Sequence, residues 1–460
     1  MPKLTIRNLG PIKEIKDLEI KDFMVFIGPS ASGKSTLAKV IYFYYSAWDE
    51  LAKRTYQTFS DTLETRLSNA DSRNELKVTS RIAQTLIFYL RRLFPGVTIF
   101  DNSIEITLNS GRKIFSSLGS IHSKPKISLF FDGFEKIWER ELEYVNNVLL
   151  PQLQGYPRLY GGEGKSLARQ ELLKHFREFF LDLFELEIPQ ESLSFKHSIY
   201  VPATRNLLGQ DLSWQKQLPA DKQPFDFLTQ SYLNEIEYLK SRFSGSLVSY
   251  TLESEKNISR KAEKILKGTL EVDAYKSEIQ IDIFQDPDYS HLISIENMSS
   301  GQQYASGIIY PLIADISEDQ QVKYRGIFIE EPEAHLFPED QKNMVELLAA
   351  AFNTGNFKPM VITTHSPYLL LEINNLIYAR QKGISNGLKK AFQGLIPEEL
   401  WLDPSRCGAY LLKDGGIEDI MGEKSRLIVA EDMDETSEDI MDLFEEMNAL
   451  VRESKRKDNG

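Results

Sequence analysis

The sequence predicts an α/β fold carrying a large, mainly helical insertion, and three observations predict it. Phe23 to Ile27 is an unbroken apolar run that leads through a glycine-containing loop into a long stretch without Gly or Pro, Thr36 to about Leu51. That is the pattern of a buried strand feeding a helix. Two later apolar runs, Gly326–Ile329 and Pro359–Thr363, end in carboxylates and in a histidine. Between these halves, from about 120 to 270, the apolar spacing is mainly helical.

Taken in order, Leu4–Ile6 and Leu18–Ile20 flank a Gly10-Pro11 turn and predict an N-terminal hairpin. Val97 to Ile114 alternates apolar and polar residues around Asn109-Ser110-Gly111, a second hairpin. Helical spacing follows across Trp138–Leu153, Ser166–Leu186 and Phe225–Phe243, interrupted by one strand, Ile199–Val201, that ends at Pro202. Strand signals return at Ile279–Phe284. Near the C-terminus, Thr436 and Asp439 have capping-box spacing. Beyond them Ile440, Leu443, Phe444, Met447 and Val451 form one apolar stripe. Sustained heptads are missing from the helical region, so the sequence predicts no long coiled coil.

Composition bounds the function. The chain has 460 residues, a net charge of −13 and 42% apolar residues, a globular profile with enough apolar content for more than one core. With 26 Phe and 20 Tyr it does not read as disordered. Its single cysteine, Cys407, excludes a disulfide framework or a thiolate metal cage built by this chain alone, and fits a reducing compartment. An apolar leader and a stretch of about 18 apolar residues are both missing, so the expected location is cytoplasmic. The acidic balance argues against a nucleic-acid binder that uses its whole surface.

Gly28-Pro29-Ser30-Ala31-Ser32-Gly33-Lys34-Ser35 matches the eight-position phosphate-binding loop at every required place, in the required strand–loop–helix context. Its glycines let backbone N–H groups turn inward to cradle phosphate oxygens at the start of a helix. Lys34 is expected to reach the β- and γ-phosphates and Ser35 to hold Mg²⁺. A Gly/Ser turn before an ordinary helix is the bland alternative. In the second half, Arg325 to Glu331 is an apolar strand ending in two carboxylates. After a phosphate loop, such acids serve the metal shell and the attacking water, so Glu330 is assigned to the metal, through water, and Glu331 to general base. Met298-Ser299-Ser300-Gly301-Gln302-Gln303 puts small residues, a glycine and amides before a helix, where backbone N–H groups and hydroxyls can bind phosphate. A helix cap would explain the same string. Val361 to Pro367 places His365 at a strand end, where it can hydrogen-bond a γ-phosphate or orient the water. Of the other histidines, His122, His175, His197, His291 and His335, most are expected to be structural.

This ordered set (phosphate loop, SSGQQ, strand-Glu-Glu-Pro and strand-His) resembles ABC-type ATPases. The wording Glu330-Glu331-Pro332-Glu333-Ala334-His335-Leu336-Phe337-Pro338 and Thr363-Thr364-His365-Ser366-Pro367 is similar to the overcoming-lysogenization-defect (OLD)-like branch, which neighbours the SMC and recombination-repair ATPases and is common in bacterial anti-phage defence. The resemblance covers residues 1–60 and roughly 270–415. It implies a mixed central sheet with flanking helices and an antiparallel β lobe. It also implies ATP with Mg²⁺ as ligands and Gly28 to Ser35 and Thr36 as nucleotide contacts. Ser299, Ser300, Gly301 and Gln302 would be a signature loop that completes the ATP site of a second copy, with His335 in the loop crossing that interface. On this reading residues 1–119 are the N-terminal part of the ATPase head, 120–270 the insertion, 271–415 the C-terminal part and 416–460 an acidic helical segment. The chain departs from the transporter pattern by Glu330 in place of Asp and Ser300 in place of Gly. Tyr200-Val201-Pro202-Ala203-Thr204-Arg205 looks like a stretch that OLD-like ATPases place near the nucleotide, so Arg205 is expected to touch a phosphate, with a surface salt bridge as the alternative.

OLD-family nucleases append a Toprim domain, and Leu427–Glu431 with Asp432 and Asp434 resembles its first strand. Too little chain follows for the remaining strands and acids, so no nuclease is expected within this chain. The leading functional reading is an ATP-driven homodimeric switch that holds or activates a separate effector, a nuclease above all, with DNA kept as a candidate partner and no membrane. A DNA-repair head of the SMC or RecF kind is the first alternative, supported by Arg260, Lys261, Lys264 and Lys267. The ATPase subunit of a transporter comes second.

Overall fold

The computed structural model describes residues 2–47, 51, 55, 89, 92–94, 102–107, 113–118, 140–141, 143–153, 167, 170–176, 178–179, 198–205, 225–242, 245–246, 256–273, 279–283, 291–317, 325–385 and 389–429. The turn at 109–111 and the capping box and apolar stripe beyond 430 lie outside the described residues.

The N-terminal hairpin consists of β1 (Lys3–Leu9) and β2 (Ile12–Glu19), turning at Gly10. Gly10 has φ +56, a conformation glycine adopts without a side-chain penalty. β3 (Phe23–Ile27) follows, then the phosphate loop and helix α1, residues 34–47. The second expected hairpin is β4 (Asn102–Thr107) with β5 (Lys113–Leu118), and β4 pairs with β1, giving an antiparallel sheet ordered β2-β1-β4-β5. Further along come β6 (Ile199–Val201), α2 (Phe227–Arg242), β7 (Gly245–Ser246) and α3 (Lys256–Leu266). A second antiparallel sheet is completed by β8 (Gly268–Val272), β9 (Ile279–Ile283) and β10 (His291–Ser294), ordered β10-β9-β8-β7. The chain then runs through α4 (Ser300–Ser317), β11 (Arg325–Glu330), α5 (Pro338–Asn353), β12 (Phe357–Thr364), α6 (Pro367–Ser385) and α7 (Lys389–Leu395). β13 (Cys407–Lys413) and β14 (Gly416–Asp419) close the described part.

The central sheet is ordered β14-β13-β3-β12-β11-β6, with only β14 antiparallel to its neighbour. Both of its faces are covered, and alternation sorts the side chains between them. Phe23, Val25, Ile27, Ile199, Val201, Ile327, Ile329, Met360 and Ile362 join one cluster, which includes residues of α2 to α6. Met24, Phe26, Tyr200, Phe328, Val361, Tyr410 and Leu412 join the other, against α1 and the β1–β2 hairpin. Buried Arg325 at the start of β11 pairs with Asp315 of α4 at 2.7 Å and Glu235 of α2 at 2.8 Å. These ion pairs fix where β11 begins.

The insertion needs correction from residue 198 onward. Ile199–Val201 is the edge strand of the central sheet, paired with Ile327–Ile329, so its hydrogen bonds make it part of the head. The boundary at 270 also falls inside β8. β13, which the sequence reading did not identify, lies directly beside β3. Among the described residues no helix is long and apolar enough to cross a membrane.

Candidate functional site

Three parallel strands deliver the site. In register, Ile27 lies beside Thr364 and Thr363 beside Glu330. Gly28, His365 and Glu331 therefore leave β3, β12 and β11 at the same edge, the carboxyl ends of the strands, where open α/β sheets bind ligands.

The phosphate loop is tightly specified. A Cβ on Gly28 would meet the carbonyl oxygen of Leu412 at 2.2 Å, and one on Gly33 would meet Ile12 at 2.9 Å; both glycines have positive φ. Lys34 is 6% exposed and donates to the carbonyls of Gly28 and Pro29, both at 2.8 Å. Burial lowers its pKa from the ordinary lysine value, opposed by the negative charges of Glu331, Glu333 and Glu330. The Ser32 hydroxyl is buried without a hydrogen-bond partner. A cation on main-chain oxygens, an unpartnered hydroxyl and a wall with no room for Cβ atoms fit a phosphate chain. Ser30, Ala31 and Ser35 are exposed around it. Among the described residues no group of three or more His, Cys, Asp or Glu could hold a metal ion. Mg²⁺ in nucleotide sites takes one or two protein ligands and completes its shell with phosphate and water. Ser35 and Glu330 fit such a sparse donor set.

The acidic side is built from more distant pieces. Glu330 accepts hydrogen bonds from the Tyr200 hydroxyl at 2.7 Å and the Ala203 N–H at 3.1 Å. Burial and the adjacent Glu330 carboxylate raise the Tyr200 pKa well above its usual value, keeping the phenol a donor. Glu331 has φ +44, and its N–H donates to the Thr363 carbonyl at 2.8 Å. Its carboxylate lies 3.7 Å from His365 Nε2, and both side chains are partly exposed. Glu333 ties β11 to β12: its Oε1 accepts from the Thr364 hydroxyl at 2.8 Å and the His365 N–H at 2.7 Å, while Oε2 is buried and unpartnered.

The Arg205 guanidinium is engaged by main-chain oxygens. It is fully buried, and its Nε, Nη1 and Nη2 donate to the carbonyls of Tyr304, Glu330 and Glu331. It does not close a surface salt bridge, because these acceptors are main-chain atoms. Burial lowers its pKa, against the pull of nearby Tyr232, Glu333, Tyr304 and Glu331.

At the head of α4, Ser299 and Gln302 form a capping box. The Ser299 N–H and hydroxyl donate to Gln302 Oε1 at 3.0 and 2.9 Å, and the Gln302 N–H donates back to Ser299 Oγ at 3.3 Å. Gln302 Nε2 donates to the Leu266 carbonyl, so this carboxamide is engaged within its own chain. Ser299 and Ser300 are exposed. His335, with φ +61, packs against Tyr304 with ring centroids 4.3 Å apart and planes tilted by 40°. A Cβ on Gly301 would meet its carbonyl at 2.8 Å. Tyr200 and Glu333 stood inside strings the sequence reading quoted but received no role there. Tyr304, which lies just beyond the signature string, carried no local signal. Lys261 of α3 pairs with Glu346 and Lys267, just after it, with Asp340, so two of the four basic side chains that favoured a DNA-binding face are already paired.

A family model described as "AAA ATPase domain" matches residues 187–370, which hold β6, the α4 head, the acids and His365 but not the phosphate loop. No curated protein matches the chain in sequence. Among solved structures, an Smc head bound to the C-winged helix domain of ScpA is similar at 12% identity and TM-score 0.34, covering 91% of this chain and 96% of that one. The Smc head domain with an extended coiled coil bound to the C-terminal domain of ScpA from Pyrococcus furiosus gives 13% and 0.31, covering 97% and 100%. The SMC head domain from Thermotoga maritima gives 10% and 0.31, covering 91% and 97%. These superpositions are loose. The sheet order and the loop geometry themselves identify a P-loop ATPase fold, with a mixed central sheet, flanking helices and antiparallel sheets.

Proposed function

We propose that this protein binds ATP with Mg²⁺ and hydrolyses it to ADP and phosphate in a homodimer whose two copies enclose two nucleotides. The observation that carries this reading is the meeting of Lys34, Glu330, Glu331 and His365 at the ends of three neighbouring parallel strands. Lys34 exchanges its two carbonyl acceptors for β- and γ-phosphate oxygens, and backbone N–H groups of residues 30–36 hold the rest of the phosphate chain. Ser35 and Glu330, the latter through water, are the residues that would hold Mg²⁺. When bound, that ion offsets the charge on the phosphate oxygens. Glu331 takes the proton of the attacking water. His365, within reach of Glu331, hydrogen-bonds the γ-phosphate or orients that water.

Ser300, with Gly301 at the first turn of α4, completes the partner's site in this proposal. An 18-residue helix presents a positive end there. The dimer is the moving part of a switch that holds or activates a separate effector, a nuclease, in anti-phage defence. The support for effector and setting is the resemblance of the Glu330–Pro338 and Thr363–Pro367 strings to OLD-like ATPases.

Complementation tests the dimer. Ser299→Arg should leave ATP binding by each head intact while abolishing closure and hydrolysis. Mixing it with Lys34→Ala should restore part of the hydrolysis, because a mixed dimer keeps one composite site. Labelled subunits must first be shown to exchange. If they exchange and no hydrolysis returns, or if Ser299→Arg alone is fully active, the sandwich is wrong. Co-purification with the ATP-trapped dimer then identifies the effector class, and recovery of DNA instead of a nuclease would favour the repair-head reading.

A further inference from the structure

Arg205 is the largest fully buried side chain among the described residues. A buried guanidinium is ordinarily matched by a carboxylate. Here each nitrogen faces main-chain oxygen instead: Nε the Tyr304 carbonyl at 2.9 Å, Nη1 that of Glu330 at 2.7 Å and Nη2 that of Glu331 at 2.7 Å. Nη1 also lies 3.3 Å from the Pro202 carbonyl of its own turn. Two of these acceptors flank the peptide that leads into the Glu331 side chain. That residue sits at φ +44, a conformation a non-glycine residue holds only when its surroundings impose it.

α4 is shaped to receive this arginine. Gly307 faces it, and a Cβ there would lie 3.2 Å from Arg205 Cβ and Cδ and 2.9 Å from the Tyr232 hydroxyl. Tyr232 in turn donates to the Gly307 carbonyl at 2.8 Å. The Tyr304 ring lies 5.2 Å from the guanidinium and packs, tilted by 40°, against His335. The loop from Glu331 to His335 is thus fastened to α4 at both ends: through Arg205 at its start, and through Gly301 and Tyr304 at its finish.

We infer that Arg205 is a positioning residue that locks the main chain of Glu330-Glu331 to α4, so that the helix carrying Ser299–Gln302 sets the orientation of the Glu331 carboxylate. This rests on the hydrolytic reading above. Ligand contact at the head of α4 is then transmitted to the base through one side chain, without Arg205 touching nucleotide.

The test uses the full chain carrying Arg205→Lys, whose single ammonium cannot span carbonyls on two elements. ATP stoichiometry and Kd are read by calorimetry, and kcat and KM in steady state. Stoichiometry, Kd and KM should stay within about threefold of wild type, while kcat falls by about 10-fold to 100-fold, the range a small misplacement of a reacting group produces. A purely structural role would instead lower ATP stoichiometry in step with kcat, and that result overturns the inference. If Arg205→Lys does not fold, Gly307→Ala presses a methyl against Arg205 at a helical site where Ala is favoured over Gly. The same split is expected, and a kcat within twofold of wild type in the folded variant overturns the inference. Wild-type protein that binds ATP without hydrolysing it defeats the hydrolytic reading and this inference with it; active wild type beside an unaffected variant defeats the inference alone.

Discussion

The phosphate loop closes on itself, whereas the acidic loop across the site is held from outside. Lys34 bonds to Gly28 and Pro29 within its own loop, and the Leu37 N–H reaches back to the Gly33 carbonyl at 2.9 Å. Glu330, Glu331 and Glu333 depend on Tyr200, Ala203, Arg205, Thr363 and Thr364, contributed by β6, the turn after it and β12. A self-contained loop can bind before the rest of the site is ordered. An externally held one works only when several elements agree on its position, which is where a switch can act.

The largest expected effect breaks the self-contained side. Lys34→Ala removes the cation that serves the β- and γ-phosphates, a loss of charge-assisted bonds large enough to weaken ATP binding by at least about 100-fold, and hydrolysis should collapse with it. Calorimetry showing wild-type ATP affinity would sink the phosphate-loop assignment. Glu331→Gln tests the other side: it keeps shape and hydrogen bonding but removes the base. Turnover should fall by at least about 100-fold, within the usual range for general-base assistance, while ATP binding persists. Hydrolysis at half the wild-type rate would place the base elsewhere.

The same contrast explains what could be read from the sequence. β3, the loop and α1 are contiguous, and each carries its own local signal, so this strand–loop–helix unit was legible. β11 and β12 were legible as apolar runs with two carboxylates and a histidine at their ends. β13 was not, because Cys407-Gly408-Ala409 lacks the β-branched residues that mark a strand, and pairing with β3 and β14 makes it one. Ile199–Val201 was recognised as a strand but not as part of the head, since its membership rests on pairing with Ile327–Ile329 far along the chain. Arg205 was picked out as a cation at a strand end. Which acceptor it faces is decided by Tyr304 and Gly307 of α4, and no spacing rule links those positions.

The smallest effect sharpens the comparison most. Thr364 is fully buried; its hydroxyl donates to Glu333 Oε1 at 2.8 Å and accepts the Ser366 N–H at 2.9 Å. Thr364→Val keeps the branch and removes the hydroxyl. Glu333 Oε1 then retains only the His365 N–H, Oε2 has no partner to begin with, and the Ser366 N–H loses its acceptor. Leaving such groups unsatisfied costs about 1–3 kcal/mol of stability, to be read from denaturant unfolding. Because Glu333 fastens the acidic loop to β12, turnover should fall modestly, by less than the loss for Glu331→Gln. ATP affinity, which the proposal assigns to residues 28–35, should stay within about twofold, since the lost contact lies wholly on the other side of the site. If affinity weakens in proportion to turnover, the two loops are not held independently, and the division between a binding side and a switching side fails.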